Sequence, residues 1–128
     1  MTPQVSPAAA RKADAPAVLT KAVLRAAGRL ALSNRALAPV LGLSEATMSR
    51  MSSGAYVLDP DSKPFELAVL FVRLFRSLDA IVGGDPEVAR AWLHNDNTAL
   101  GDKPMALMAS VAGLVNVVAY LDTRRALV

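Results

Sequence analysis

Residues 34–51 read NRALAPVLGLSEATMSRM, and the fold turns on this stretch. Ser33 and Asn34 offer an N-cap for a short helix from Arg35 to Leu41, which Gly42 ends. Leu43 follows, and Ser44 can cap a second helix that runs to about Ser52 before Gly54 stops it. Two short helices that cross steeply need a small residue where they touch, and Ala38 supplies it. Gly42 can take the left-handed conformation that the turn requires. Leu37, Leu41, Leu43, Met48 and Met51 stand where apolar side chains must close the core on both sides. Pro39 is tolerable only within the first turns of its helix, so that helix should be short or distorted. The spacing predicts a helix-turn-helix. Its second helix exposes Glu45, Ala46, Thr47, Ser49 and Arg50 behind the Ser44 cap, the positions that could reach phosphates or base edges in a major groove. Arg50 is the one basic residue among them, so a helix-turn-helix used only for packing or dimerisation stays open.

Upstream, Leu19, Val23, Ala26, Ala27 and Leu30 recur at helical steps between Val18 and Leu32. Lys21, Arg25 and Arg29 stand four apart on another face, either a solvated ridge or one turned to phosphate. Residues 1–17 carry three prolines and no apolar periodicity, and read as a disordered tail. They lack the apolar run of a signal peptide, so a cytoplasmic protein is expected.

Downstream, Asp59-Pro60-Asp61 is turn chemistry, and Pro64 suits the first turn of a long helix to about Val82. Gly83-Gly84 ends it, and Asp85-Pro86-Glu87 starts another helix that reaches about His94. Asn95 to Lys103 is a polar connection, and Pro104 opens a last helix. No segment alternates with period two, so the chain is expected to be all-α. In the long helix, Leu67, Phe71, Leu74, Leu78 and Ile81 form a seam, while Phe65, Ala68, Val69, Val72 and Phe75 form a second apolar face. Two apolar faces predict a helix central to a core and also a homodimer interface through Leu67, Phe71, Leu74 and Leu78. Pro104 to Leu121 holds 18 residues without a charge, near the length that spans a membrane. Ser110, Gly113 and Asn116 interrupt it, which favours a helix covered by protein, and no membrane partner is expected.

The chain has 128 residues, of which 53% are apolar and 20% charged, enough for a folded core. With no cysteine and one histidine, His94, the usual zinc ligands and nucleophile–base pairs are missing. No enzyme, metal or cofactor is therefore expected. Asn95-Asp96-Asn97 reads as a turn rather than a calcium loop. The net charge of +3 is unevenly placed. Lys21, Arg25, Arg29, Arg35 and Arg50 face Glu45 alone in residues 18–58, whereas residues 59–128 carry an acidic excess. That asymmetry suggests a polyanion-binding part joined to something else.

Beyond the helix-turn-helix, Ala91-Trp92-Leu93, Asn97-Thr98-Ala99-Leu100-Gly101 and Pro104-Met105-Ala106-Leu107 follow in order, then Gly113, Val117-Val118 and Leu121. These elements resemble the C-terminal toxin-binding domain of the Xre/MbcA/ParS antitoxins, and residues 18–77 resemble that family's Xre-like helix-turn-helix domain. Asp102 stands where the family often has a second glycine. After the tail at 1–17, the resemblance implies a helix-turn-helix domain at 18–77 and a toxin-binding domain at 78–128. It implies a type II antitoxin whose partner is a RES-domain toxin. Such toxins consume NAD, and in one branch modify a phosphoribosyl-pyrophosphate synthetase. The antitoxin's C-terminal segment obstructs the NAD site, and its helix-turn-helix half often represses the module's own promoter.

Within that resemblance, the toxin-binding residues expected here are Tyr120, Arg124, Arg125, Leu127 and Val128, a mixed basic and apolar end suited to excluding a nucleotide. Arg124 and Arg125 could instead complement the negative end of the last helix. Trp92 reads as a core anchor and His94 as a helix-end residue. The expected partners are a cognate RES-domain toxin, operator DNA and a second copy of the chain. A stand-alone helix-turn-helix regulator with a helical dimerisation half is the alternative.

Overall fold

The structure, a computed structural model, describes residues 7–127. Its regular elements are seven helices: α1 (Pro7–Arg29), α2 (Asn34–Leu41), α3 (Glu45–Ser52), α4 (Lys63–Ile81), α5 (Pro86–His94), α6 (Pro104–Leu107) and α7 (Val111–Arg125). Among the described residues the only strand-like pairing is an isolated bridge between Asn97 and Asp102. The all-α expectation holds.

Side-chain caps set most of the starts. Ser33, Ser44, Ser62 and Ser110 each accept the backbone N–H three residues on, and Asp85 accepts from Glu87 and Val88. Each such cap satisfies N–H groups that the first turn leaves without an intrahelical partner. Gly42 ends α2 in the left-handed region, at φ 67°, and its N–H and that of Leu43 close onto the carbonyls of Pro39 and Ala38.

Two boundaries differ from the sequence reading. α1 begins at Pro7, so residues 7–17 are helical rather than an irregular tail, and residues 1–6 lie outside the described residues. The physical reason is the alanine-rich run Ala8-Ala9-Ala10-Arg11-Lys12-Ala13, whose residue types favour helix, with Pro16 accommodated inside it. The segment from Pro104 to Leu121 is two helices, not one. The break spans Met108 to Ser110, where Met108 is fully buried and Ser110 recaps the chain. No helix among the described residues is long and apolar enough to cross a membrane.

α4 is the spine. Its buried residues Leu67, Ala68, Phe71, Val72, Leu74, Ser77 and Leu78 spread over more than one face. α1 and α2 pack on it, and α7 covers it along its most extensive contact. Val23, Leu30, Leu37, Leu41, Met48 and Met51 from the first half join Leu93, Met108, Leu114, Val117 and Leu121 from the second in one contiguous core. The expected homodimer seam is corrected by this packing. Leu67 is 6% exposed and Phe71, Leu74 and Leu78 at most 1%, so these four side chains are occupied by their own chain. Two apolar faces on one helix cannot reveal from sequence whether the cover comes from the same chain or another. Here α7 turns back far enough to supply it.

Polar contacts fasten the layers where the apolar core ends. The Thr20 hydroxyl, buried in α1, donates to the Pro16 carbonyl at 2.7 Å and accepts the Leu58 N–H at 3.1 Å, anchoring the α3–α4 connection. The Arg29 guanidinium donates to the Gly84 carbonyl at 3.1 Å, and Arg90 Nε donates to the Arg29 carbonyl at 3.1 Å. These two bonds tie the end of α1 to the start of the second half.

Candidate functional site

Two surfaces carry the residues singled out by sequence. The first is the open side of α3. Leu37, Ala38, Leu41, Met48 and Met51 are buried and hold α2 and α3 in the helix-turn-helix arrangement, while Leu43 is half-buried. Ser52 Oγ donates to Asn34 Oδ1 at 2.9 Å, which joins the end of α3 to the start of α2. Ser44, Glu45, Ala46, Ser49 and Arg50 are exposed, and Thr47 is half-buried. Thr47 Oγ1 accepts from Ser44 Oγ at 3.0 Å and from Arg50 Nη2 at 3.1 Å, so the one cation on the helix is steadied over its first turn. Glu45, the one acid there, lies 3.8 Å from Arg35 Nε, and both side chains are largely exposed. At that distance in solvent the pair adds little stability, but it offsets a carboxylate that would repel phosphate beside the helix N-terminus.

The second surface is the end of α7. Its inner face, Leu114, Val117, Val118 and Leu121, packs into the core. Asp122 closes the α4–α7 seam. One of its oxygens accepts from Arg73 Nη2 at 2.6 Å and the other from the Ser77 hydroxyl at 2.9 Å, and Ser77 is 1% exposed. Gly113 lets α7 approach α6. A Cβ there would stand 1.9 Å from the Leu107 carbonyl oxygen.

The expected toxin-binding residues separate onto two sides. Tyr120 is half-buried and stacks on Trp92, with ring centroids 6.3 Å apart and planes 18° apart. The Arg124 guanidinium carbon lies 5.1 Å from the Tyr120 ring centroid. Trp92, Tyr120 and Arg124 thus form one aromatic–cation stack at the junction of α5 and α7. Arg125, one helical step on, turns instead towards Arg73 and Arg76, on the rim of an apolar groove of about 520 Å³ between α1 and α4. Leu127 is 79% exposed, and Val128 lies outside the described residues. His94 is exposed at the end of α5.

Sequence reasoning missed three of these features. The Asp122 clasp had one signal, a serine and an acid placed among apolar helical positions. The Trp92–Tyr120 stack had none, since 27 residues of turn and helix separate the partners. The groove had none either, because residues assigned to an interior face of α4 line it.

Two short helices in helix-turn-helix arrangement, with a cation on the second and joined through a shared spine to a second helical half, define a helix-turn-helix protein with an added helical domain. The comparisons agree with both parts. Residues 9–73 match the antitoxin Xre-like helix-turn-helix domain, and residues 77–126 match the antitoxin Xre/MbcA/ParS C-terminal toxin-binding domain. The chain belongs to the Xre/MbcA/ParS antitoxin family. No curated protein matches it closely. Membership makes the second half a toxin-binding domain and the first an Xre-like helix-turn-helix domain.

Proposed function

We propose that this chain neutralises a RES-domain, NAD-consuming toxin in the cytoplasm and represses the promoter of the module that encodes both. The observation that carries the reading is the end of α7. A toxin-binding domain finishes in exposed cationic and apolar groups, Arg124 and Arg125 in the last turn of a firmly packed helix and Leu127 just after it. Such an end can enter a nucleotide pocket while the packed part of α7 holds its position. Arg124 and Arg125 would pair with carboxylates lining such a pocket, and Leu127 would fill apolar space. The packed Leu114, Val117 and Leu121 fix the direction of approach.

Repression is the second half of the proposal. The exposed α3 residues Ser44, Ala46, Ser49 and Arg50 enter the major groove, with the helix N-terminus and Arg50 on phosphate or base edges. A pair of chains would place two α3 helices on a palindromic operator. Their contact lies outside the buried Leu67, Phe71, Leu74 and Leu78.

Co-expression with the neighbouring reading frame tests the proposal. A RES-domain product that co-purifies with this chain supports it. A neighbouring RES-domain protein that stays free of the chain at micromolar concentrations contradicts it. The stand-alone regulator has no specific observation in its favour, since the second half matches a toxin-binding domain.

A further inference from the structure

An apolar groove runs between α1 and α4, and neither half's assigned role uses it. Val18, Phe65, Val69 and Val72 form its walls. Val18 is 63% exposed and Val69 46%, both high for valines on packed helices. Covering these side chains with apolar groups of another molecule would remove them from water. The groove's rim is cationic: Arg73, Arg76 and Arg125 all line it. Arg73 is neutralised by Asp122. No ion pair with Arg76 or Arg125 occurs among the described residues.

We infer that this groove is a second docking site for the toxin, and that its occupant is a toxin segment of aliphatic side chains flanked by carboxylates. The inference rests on the proposed antitoxin role and deepens it by stating where else the toxin is held. Two observations favour that occupant. The groove is continuous with the toxin-binding domain, because Arg125 belongs both to its rim and to the exposed end of α7. A toxin engaged at that end has the groove as its immediate neighbour. Charge decides against a second copy of the chain, since two such rims brought together would oppose their arginines. An acidic flank relieves that charge, and aliphatic side chains remove Val18 and Val69 from water. The groove walls belong to the first half, so the toxin spans both halves and reads the helix-turn-helix side of the molecule as well.

The test uses substitutions outside residues 77–126, so that the matched toxin-binding domain stays unaltered. Val18→Asp and Arg76→Glu change exposed positions, and unchanged melting temperatures identify folded variants. Affinity of the full-length chain and of each variant is measured for the neighbouring RES-domain protein, over a salt series. The inference expects at least a tenfold weaker complex for each variant, with a shallower salt dependence for Arg76→Glu. Arg76→Lys should restore most of the loss. Equal affinity for wild type and both variants overturns the groove while leaving the antitoxin role standing. A wild type that binds no toxin overturns both. If Val18→Asp instead halves the molecular mass of the free protein by light scattering and leaves toxin affinity unchanged, the groove belongs to a second copy and the inference fails.

Discussion

Gly113 is the glycine with the least room for a side chain. A methyl group there meets the Leu107 carbonyl oxygen and carbon at 1.9 and 2.7 Å, and both are backbone atoms. Gly113→Ala must push α6 from α7, and overpacking of a close contact costs about 1–3 kcal/mol. We expect a clear drop in melting temperature, checked by thermal unfolding, and weaker toxin binding because α7 shifts. Arg50 is the opposite case. It is exposed and held only by Thr47, so Arg50→Ala should leave the melting temperature unchanged. It should weaken operator binding and flatten its salt dependence by about one counterion, measured by titration at several ionic strengths. Unchanged affinity across that series would remove α3 as the reader. Residues of both kinds were unequally legible. Gly42 and Ser44 announce their backbone roles in sequence, because few residues satisfy a left-handed turn or an N-cap. Gly113 shows its role only once the Leu107 carbonyl is known to lie against it.

At the scale of elements, α4 makes the sharpest distinction. Its seam residues were expected to join two copies, and they sit in the core of one. Leu74→Glu places a charge at a position with no exposed surface, and among the described residues the buried polar side chains, Thr20 and Ser77, carry no charge to pair with it. A buried unpaired charge costs several kcal/mol, comparable with the 5–15 kcal/mol that hold a domain of this kind together. We expect loss of helical circular dichroism and of the unfolding transition, rather than a folded monomer derived from a dimer. A well-folded Leu74→Glu protein of reduced mass would restore the dimer seam. The last helix was legible in composition but not in continuity. Pro104 and the absence of charge marked an apolar helical region, whereas the break at Met108–Ser110 follows from Ser110 capping α7 and Met108 turning inward. Both residues are also compatible with an unbroken helix, so sequence periodicity runs through the break.

For the whole molecule, the two halves share one core and are not beads on a linker. α4 crosses from residues matched to the first domain into those matched to the second, and Arg29 and Arg90 bond across the same junction. We expect a single calorimetric transition in which both halves unfold together; two separated transitions would show that the shared spine does not couple them. Local signals such as caps, turns and periodicity carried the order of the helices, and the family motifs carried the pairing of domains. What joins α1 to α5, or Trp92 to Tyr120, depends on tertiary placement that no local signal encodes. Thr123, Arg124, Arg125 and Leu127 are exposed, so truncation after Asp122 keeps the core, its Asp122 clasp and the groove walls. The decisive measurement is growth, with intracellular NAD followed alongside, of cells that express the neighbouring RES-domain toxin together with either the full chain or the chain ending at Asp122. The full chain should preserve growth and NAD, while the truncated chain, stably produced, should let NAD fall and growth stop. Full protection by the truncated chain would contradict a blocking role for the end of α7, and failure of the full chain to protect at all would contradict the antitoxin reading itself.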